Sequence, residues 1–414
     1  MSQKNWSRRS VLSAATLLGC SAAASPLITP ITLASAPWDH RLVVIILRGG
    51  MDGLDVLRPL GDPNYAGLRA GLMQGAQPGL DLDGFYHMHP ALAPLMPLWQ
   101  RQQLGFVHAV STPYRNKRSH FDGQDLLEAG TADLARGGRD GWLNRMLQAE
   151  QGLSGQTAFA VGHENMLLLR GTAEVANWSP DTALSLSPQG TRLAELVMHD
   201  DPAFHDAFME AQALITGGGM GLVGDGMADD LPEMAPDMGM VMDSQTNGRP
   251  AGIKAIAGFA AERLLQDTRI AAFSIGGWDT HRNQARGLNA ALDQLAQAIL
   301  SLHAGLGATW QKTAVLAVTE FGRTARINGT KGTDHGTGGA MLLAGGALRG
   351  GKVYGQWPGL SEADLFDRRD LMPTGDVRAY AGRIMRDLFG LKRAVIEGSI
   401  FPGLDMSDTP DLLL

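Results

Sequence analysis

The 414-residue chain suits one large α/β domain or two to three ordinary ones, and 44% hydrophobic against 19% charged residues lets it bury a sizeable core. A net charge of −7 with no long Lys/Arg run excludes a protein that wraps nucleic acid. The single cysteine, Cys20, excludes a disulfide scaffold and any Cys-ligated zinc or iron–sulfur site.

Residues 1–36 read as an export leader. Arg8-Arg9 precedes an apolar stretch, rich in Ala and Ser, that runs from Val11 to Ala24 and is too short for a lasting membrane anchor. The paired arginines resemble the signal read by the twin-arginine export machinery, which carries folded proteins. Ala34-Ser35-Ala36 and Ala22-Ala23-Ala24 both fit a small-x-small cleavage pattern. Leu17-Leu18-Gly19-Cys20 resembles a lipoprotein box, with Leu18 bulkier than is usual there. No later stretch reaches about 18 apolar residues, so a periplasmic or extracellular protein without a permanent transmembrane anchor is expected.

Residues 37–414 are expected to form a single α/β domain. Arg41-Leu-Val-Val-Ile-Ile-Leu47 is a continuous β-branched run, as a strand buried on both faces requires. Similar runs fall at 104–110, 269–275, 313–319 and 340–344. Between them, Leu288, Leu292, Leu295, Ile299 and Leu302 form one helical stripe. Val377, Tyr380, Ile384 and Leu388 form another, which Gly390 stops. Such alternation predicts helices on both faces of a largely parallel sheet. Residues 217–243 break the pattern with Gly, Asp, Pro and six methionines, and read as a flexible insertion. A soft Cu(I) site or a docking loop is the alternative there.

In open α/β sheets chemistry gathers past the carboxyl ends of the strands. The first strand is followed by Arg48-Gly-Gly-Met-Asp52, the strand at 269–275 by Gly276-Gly-Trp-Asp279-Thr-His281, and the strand at 313–319 by Glu320-Phe-Gly-Arg323. Gly332-Thr-Asp334-His335-Gly precedes the last strand. Four loops thus each offer a carboxylate and two add a histidine, a donor set for one or two divalent ions such as Zn, Mg, Mn or Ca. After the strand at 104–110, Arg118-Ser119-His120 opens a helix that ends near Gly130. A serine there, flanked by basic residues, suits a nucleophile that meets an anion; alternatively, Ser119 simply caps the helix. His87 and His89 read as loop residues, and His108, inside an apolar strand, as a satisfied core histidine.

Arg48-Gly-Gly-Met-Asp-Gly-Leu, Arg118-Ser-His-Phe-Asp, Gly-Trp-Asp279-Thr-His, Thr319-Glu-Phe-Gly-Arg-Thr and Gly-Thr-Asp334-His-Gly together resemble an uncharacterised bacterial family within the alkaline-phosphatase-like superfamily, which also holds sulfatases. Its members carry twin-arginine leaders, and the resemblance spans nearly the whole mature chain. It implies an alkaline-phosphatase-like three-layer sandwich and a metal-dependent hydrolase acting on a small anionic ester of phosphate, phosphonate or sulfate. The implied metal ligands are Asp52, Asp279, His281, Glu320, Asp334 and His335. Where the superfamily has Asp followed by His, this chain has Glu320 followed by Phe321, one ligand fewer. The implied nucleophile begins the helix about ten positions before the closing glycine; His120 holds that place and Ser119 precedes it. Ser119, His120 and Arg323 are the expected catalytic residues, with Arg48 and Arg118 to clamp the anion. The absence of a cysteine there speaks against a formylglycine mechanism. Phe321 also leaves a second reading open: a non-catalytic binding or assembly protein of the cell envelope.

Overall fold

The computed structural model describes residues 36–73, 77–115, 118–133, 140–150, 152–162, 166–178 and 250–414. The expected leader through residue 35, with Cys20, lies outside the described residues, as does the methionine-rich segment 217–243. Among the described residues no helix is long and apolar enough to cross a membrane.

Among the described residues nine strands form one sheet: β1 (Arg41–Leu47), β2 (Leu104–Ser111), β3 (Ala158–Val161), β4 (Ala176–Trp178), β5 (Ile270–Ile275), β6 (Thr313–Val318), β7 (Gly339–Ala344), β8 (Val353–Tyr354) and β9 (Gly375–Asp376). They lie in the order β8-β2-β7-β6-β1-β5-β3-β4, with β9 also beside β2. The main helices are α1 (His120–Ala129), α2 (Trp142–Gln148), α3 (Pro250–Leu265), α4 (Gln284–Leu306) and α5 (Val377–Phe389).

The apolar run of β1 does what its composition dictates. Leu42, Val44 and Ile46 pack on the face covered by α2 and α5, and Val43, Ile45 and Leu47 on the face covered by α3 and α4. All six are fully buried, and each contributes about 2 kcal/mol of transfer free energy. The stripes of α4 and α5 point into the same two cores, and Gly390 ends α5 in the left-handed conformation. The result is the expected three-layer α/β sandwich.

Of the eight pairings in this sheet, six are parallel and two antiparallel. β1 is parallel to β5 and β6, and only β7 runs against its neighbours β2 and β6. A parallel return after β6 would need a crossover over one face of the sheet. Residues 319–338 contain no helix; they double back over the sheet edge and re-enter directly as β7. The carboxyl ends of β1, β2, β5 and β6 therefore share one edge with the start of β7. All five loops singled out in the sequence meet there.

His108 behaves as a core histidine. It is buried in β2, its Nε2–H donates to the Leu57 carbonyl at 3.2 Å, and its Nδ1 accepts the Ala109 N–H at 2.9 Å. Burial pushes its pKa down to about 4. His89 is a loop residue as expected, though buried, and its Nδ1 accepts the Ala91 N–H at the head of a short 3-10 helix, whereas His87 lies in the short strand Tyr86–Met88. A histidine neutral in the fold but titrating near its ordinary value when unfolded leaves stability intact above about pH 6.5, and stability drains as pH falls towards 4. Denaturant unfolding of the wild type should therefore lose about 2 kcal/mol more than His108→Gln between pH 7.5 and pH 5. Parallel pH profiles for the two proteins would contradict this.

Candidate metal centre at the carboxyl edge of the sheet

Asp279, two residues beyond the glycine pair that ends β5, stands at the middle of the edge. Its Oδ1 lies 3.0 Å from His281 Nε2 and 3.2 Å from His335 Nε2, and its Oδ2 lies 3.5 Å from His120 Nε2. One donor atom from each of His120, Asp279 and His335 lies within 4.8 Å of the others. Close approach of backbone makes this possible. A side chain on Gly49 (φ +125°) would reach within 2.5 Å of the Asp279 amide, and one on Gly332 within 2.2 Å of the His281 carbonyl.

The histidines are oriented from behind. His120 Nδ1–H donates to Glu320 Oε1 at 2.8 Å, His281 Nδ1–H to Asp334 Oδ1 at 3.2 Å, and His335 Nδ1–H to the Arg118 carbonyl at 2.9 Å. With each Nδ1 donating, the neutral rings carry a lone pair on Nε2, and all three Nε2 atoms face Asp279. Acceptors behind ligating histidines are the usual outer partners of a metal site. The Nε2 atoms of His281 and His335 are 2.9 Å apart. Two lone pairs at that distance need a cation or a proton between them. The edges of 2.9, 3.0 and 3.2 Å around Asp279, His281 and His335 are close to the ~3.3 Å between neighbouring donors of a tetrahedral ion bound at about 2.0–2.1 Å. The donor set thus fits one small divalent ion.

Electrostatics agree with the geometry. Burial opposes ionisation of Asp279, but hydrogen bonds from His120 and His335 and the charge of Arg323 hold its carboxyl well below the usual carboxylate range. Burial likewise works against a charged His120, yet the carboxylates of Asp279 and Glu320 on either side raise it to about 9, so an ion binding there would displace a proton from its Nε2. Phe321, where a ligand is expected, is buried beneath the cluster, its ring centroid 5.1 Å from that of His120 and 5.0 Å from that of His335.

The other sequence-predicted residues are placed differently. Asp52 does not face the cluster: it is buried in a bidentate pair with Arg69, with Nη2 to Oδ1 at 3.0 Å, and its Oδ2 also accepts from Gln284 Nε2 at 2.6 Å. Glu320 and Asp334, expected as ligands, stand behind His120 and His281. Glu320 is fully buried and accepts from Gly49 N, Gln124 Nε2 and Thr319 Oγ1 as well. Ser119 caps α1, its Oγ accepting the Asp122 N–H at 3.4 Å, next in the chain to His120. Arg48, expected as a clamp, is engaged by Glu128 at 2.8 Å and Gln124 at 2.9 Å. Arg118 is exposed at the rim, in a left-handed conformation that turns its carbonyl to His335. Arg323 is buried and donates from Nη2 to Asp279 Oδ1 at 2.8 Å.

Sequence reasoning passed over Arg69 and Gln284. Neither lies in a strand-end motif, and a mid-chain Arg between two short helical turns carries no local signal. Assigning His120 to catalysis alone also missed its place beside Asp279. Its position in the first turn of a helix at the same edge is the signal that was available.

A family model described as a protein of unknown function (DUF1501) matches residues 109–400. No curated protein matches the chain. Solved structures similar to it include an alkaline phosphatase from an Antarctic bacterium, at 11% identity over 74% of this chain and 91% of that one, with a TM-score of 0.33. A lipoteichoic acid synthase from Listeria monocytogenes is similar at 9% identity over 88% of this chain and 75% of that one, TM-score 0.35. A 2-O GAG sulfatase is similar at 12% identity over 77% and 66%, TM-score 0.31.

Proposed function

The chain belongs to DUF1501, a family of proteins of unknown function, and we propose that this member is an exported metal-dependent hydrolase of phosphate, phosphonate or sulfate esters. One observation carries the reading: three histidines, each held from behind through Nδ1, turn Nε2 toward a single carboxylate. Buried neutral histidines assembled only for packing have no need of that arrangement. The paired arginines of the leader support export through the twin-arginine machinery to the periplasm or beyond.

Asp279, His281 and His335 would hold the ion, with His120 completing the set. A divalent ion in such a site lowers the pKa of a hydroxyl or water and neutralises charge on the transferring group. The chain's own residues supply the rest. Glu320, Asp334 and the Arg118 carbonyl fix the ring orientations. Ser119 is the proposed nucleophile, its Oγ accepting a long cap hydrogen bond. Arg118 and Arg323 would meet the anionic oxygens. A recess of about 800 Å³ is lined in part by Asp334, Arg326, Arg368, Arg369, Leu360 and Leu365. Its arginines and apolar residues suit the organic part of an anionic ester.

The test is turnover of p-nitrophenyl phosphate, p-nitrophenyl phenylphosphonate and p-nitrophenyl sulfate by protein loaded in turn with Zn, Mn, Mg or Ca. Hydrolysis of at least one ester, stopped by a chelator and by Ser119→Ala, is expected. Protein that holds its metal but turns over none of the three would favour the non-catalytic binding protein instead. Phe321 and the locked Asp52 are the observations on that side.

A further inference from the structure

We propose that this centre holds one divalent ion, not two, and that the buried guanidinium of Arg323 supplies the positive charge a second ion would bring. The inference rests on the metal reading above. A second ion needs carboxylate oxygens with lone pairs to spare, and those of Asp52 and Glu320 are already taken. Arg69 takes both oxygens of Asp52, and Gln284 adds a third hydrogen bond at 2.6 Å. Glu320 Oε1 accepts from Gly49 N at 2.9 Å, His120 Nδ1 at 2.8 Å and Gln124 Nε2 at 3.1 Å, and its Oε2 accepts from Thr319 at 3.0 Å. Asp334 Oδ1 is shared by His281 and Asn328.

Arg323 sits among these groups. It has no exposed side-chain surface, binds Asp279 at 2.8 Å, and feels the charges of Asp52 and Glu320 as well. Its place is fixed because Arg323 and His335 face each other across an antiparallel bridge, and a side chain on Gly336 would collide with the Arg323 backbone at 2.4 Å. The charges close with a single ion. The guanidiniums of Arg69 and Arg323 together with one divalent cation balance the carboxylates of Asp52, Asp279, Glu320 and Asp334. A second ion would leave two positive charges uncompensated in a partly buried site, which is costly. Finally, Arg323 Nε and Nη1 are buried with no hydrogen-bond partner among the described residues. Buried donors are rarely left so unless an acceptor arrives from outside the chain, and an oxyanion oxygen would satisfy Nη1 beside the Nη2 that binds Asp279.

Elemental mass spectrometry after dialysis of the whole protein against excess Zn²⁺, and separately Mn²⁺, should give one ion per chain at saturation. Two per chain would overturn the single-ion assignment while leaving the metal reading intact; none would overturn both. A second measurement addresses Arg323 directly. Binding of inorganic phosphate to the metal-loaded protein, followed by calorimetry, should weaken about tenfold or more in Arg323→Lys, which keeps the charge and loses the fork. The metal content of that variant should stay at one. Unchanged phosphate affinity in folded, one-ion Arg323→Lys would remove Arg323 from this role.

Discussion

Replacing Asp279 and His281 together with alanine should leave the protein folded and abolish its retention of a divalent ion. Among the described residues Asp279 is the one carboxylate that approaches all three histidine Nε2 atoms, so none of the others described can take its place. His281 supplies the nitrogen nearest to His335. Loss of two of four donors removes most of the affinity of such a site, and a fall of at least about a hundredfold is expected. Folding should be spared because the two side chains are 45% and 40% exposed, so their removal creates no core cavity. Elemental analysis beside thermal unfolding checks both halves. A double variant that keeps its full metal content would reject this centre, and one that fails to fold would show that the cluster is structural.

Arg69→Met should be the most destabilising single change at this edge, at about 3–5 kcal/mol in denaturant unfolding. The guanidinium is completely buried and is held in place from several sides. It pairs with both oxygens of Asp52, and it donates from Nε to the Ala325 carbonyl at 2.7 Å and from Nη2 to the Thr324 carbonyl at 2.9 Å. It therefore ties the loop after β1 to the loop after β6. Methionine fills much of the volume but leaves Asp52 a buried charge that keeps, among the described side chains, just the Gln284 hydrogen bond. Asp52→Asn in the Arg69→Met background should recover part of the loss, since it removes the stranded charge. A loss below about 1 kcal/mol for the single variant would show that the pair adds little to stability.

Much of the architecture is legible in the chain itself. Six consecutive apolar residues in β1 can be buried only between two covered faces, and the stripes of α4 and α5 supply the covers. Glycine-rich turns after β1 and before β7 mark where polar residues must surface, because side chains there would collide with neighbouring loops. The residue types for an oxygen-and-nitrogen metal site follow from the same loops. Asp279, His281 and His335 could be picked from them without a structure.

Which acids face the ion and which stand behind it is a different kind of fact. Asp52, Glu320 and Asp334 look equivalent along the chain: each is a carboxylate at a strand end. Only the folded edge separates them. Arg69, more than 250 positions from Thr324 and Ala325, reaches across to lock Asp52. Glu320 and Asp334 lie under His120 and His281 because 319–338 doubles back instead of crossing over. The antiparallel direction of β7 is likewise a tertiary outcome, since an apolar run has no sense of direction until its connection is folded. Periodicity and composition act locally and so determined the elements and the edge. The pairing of charges buried far apart in sequence depends on which loops meet, and that was decided by the packed sheet alone.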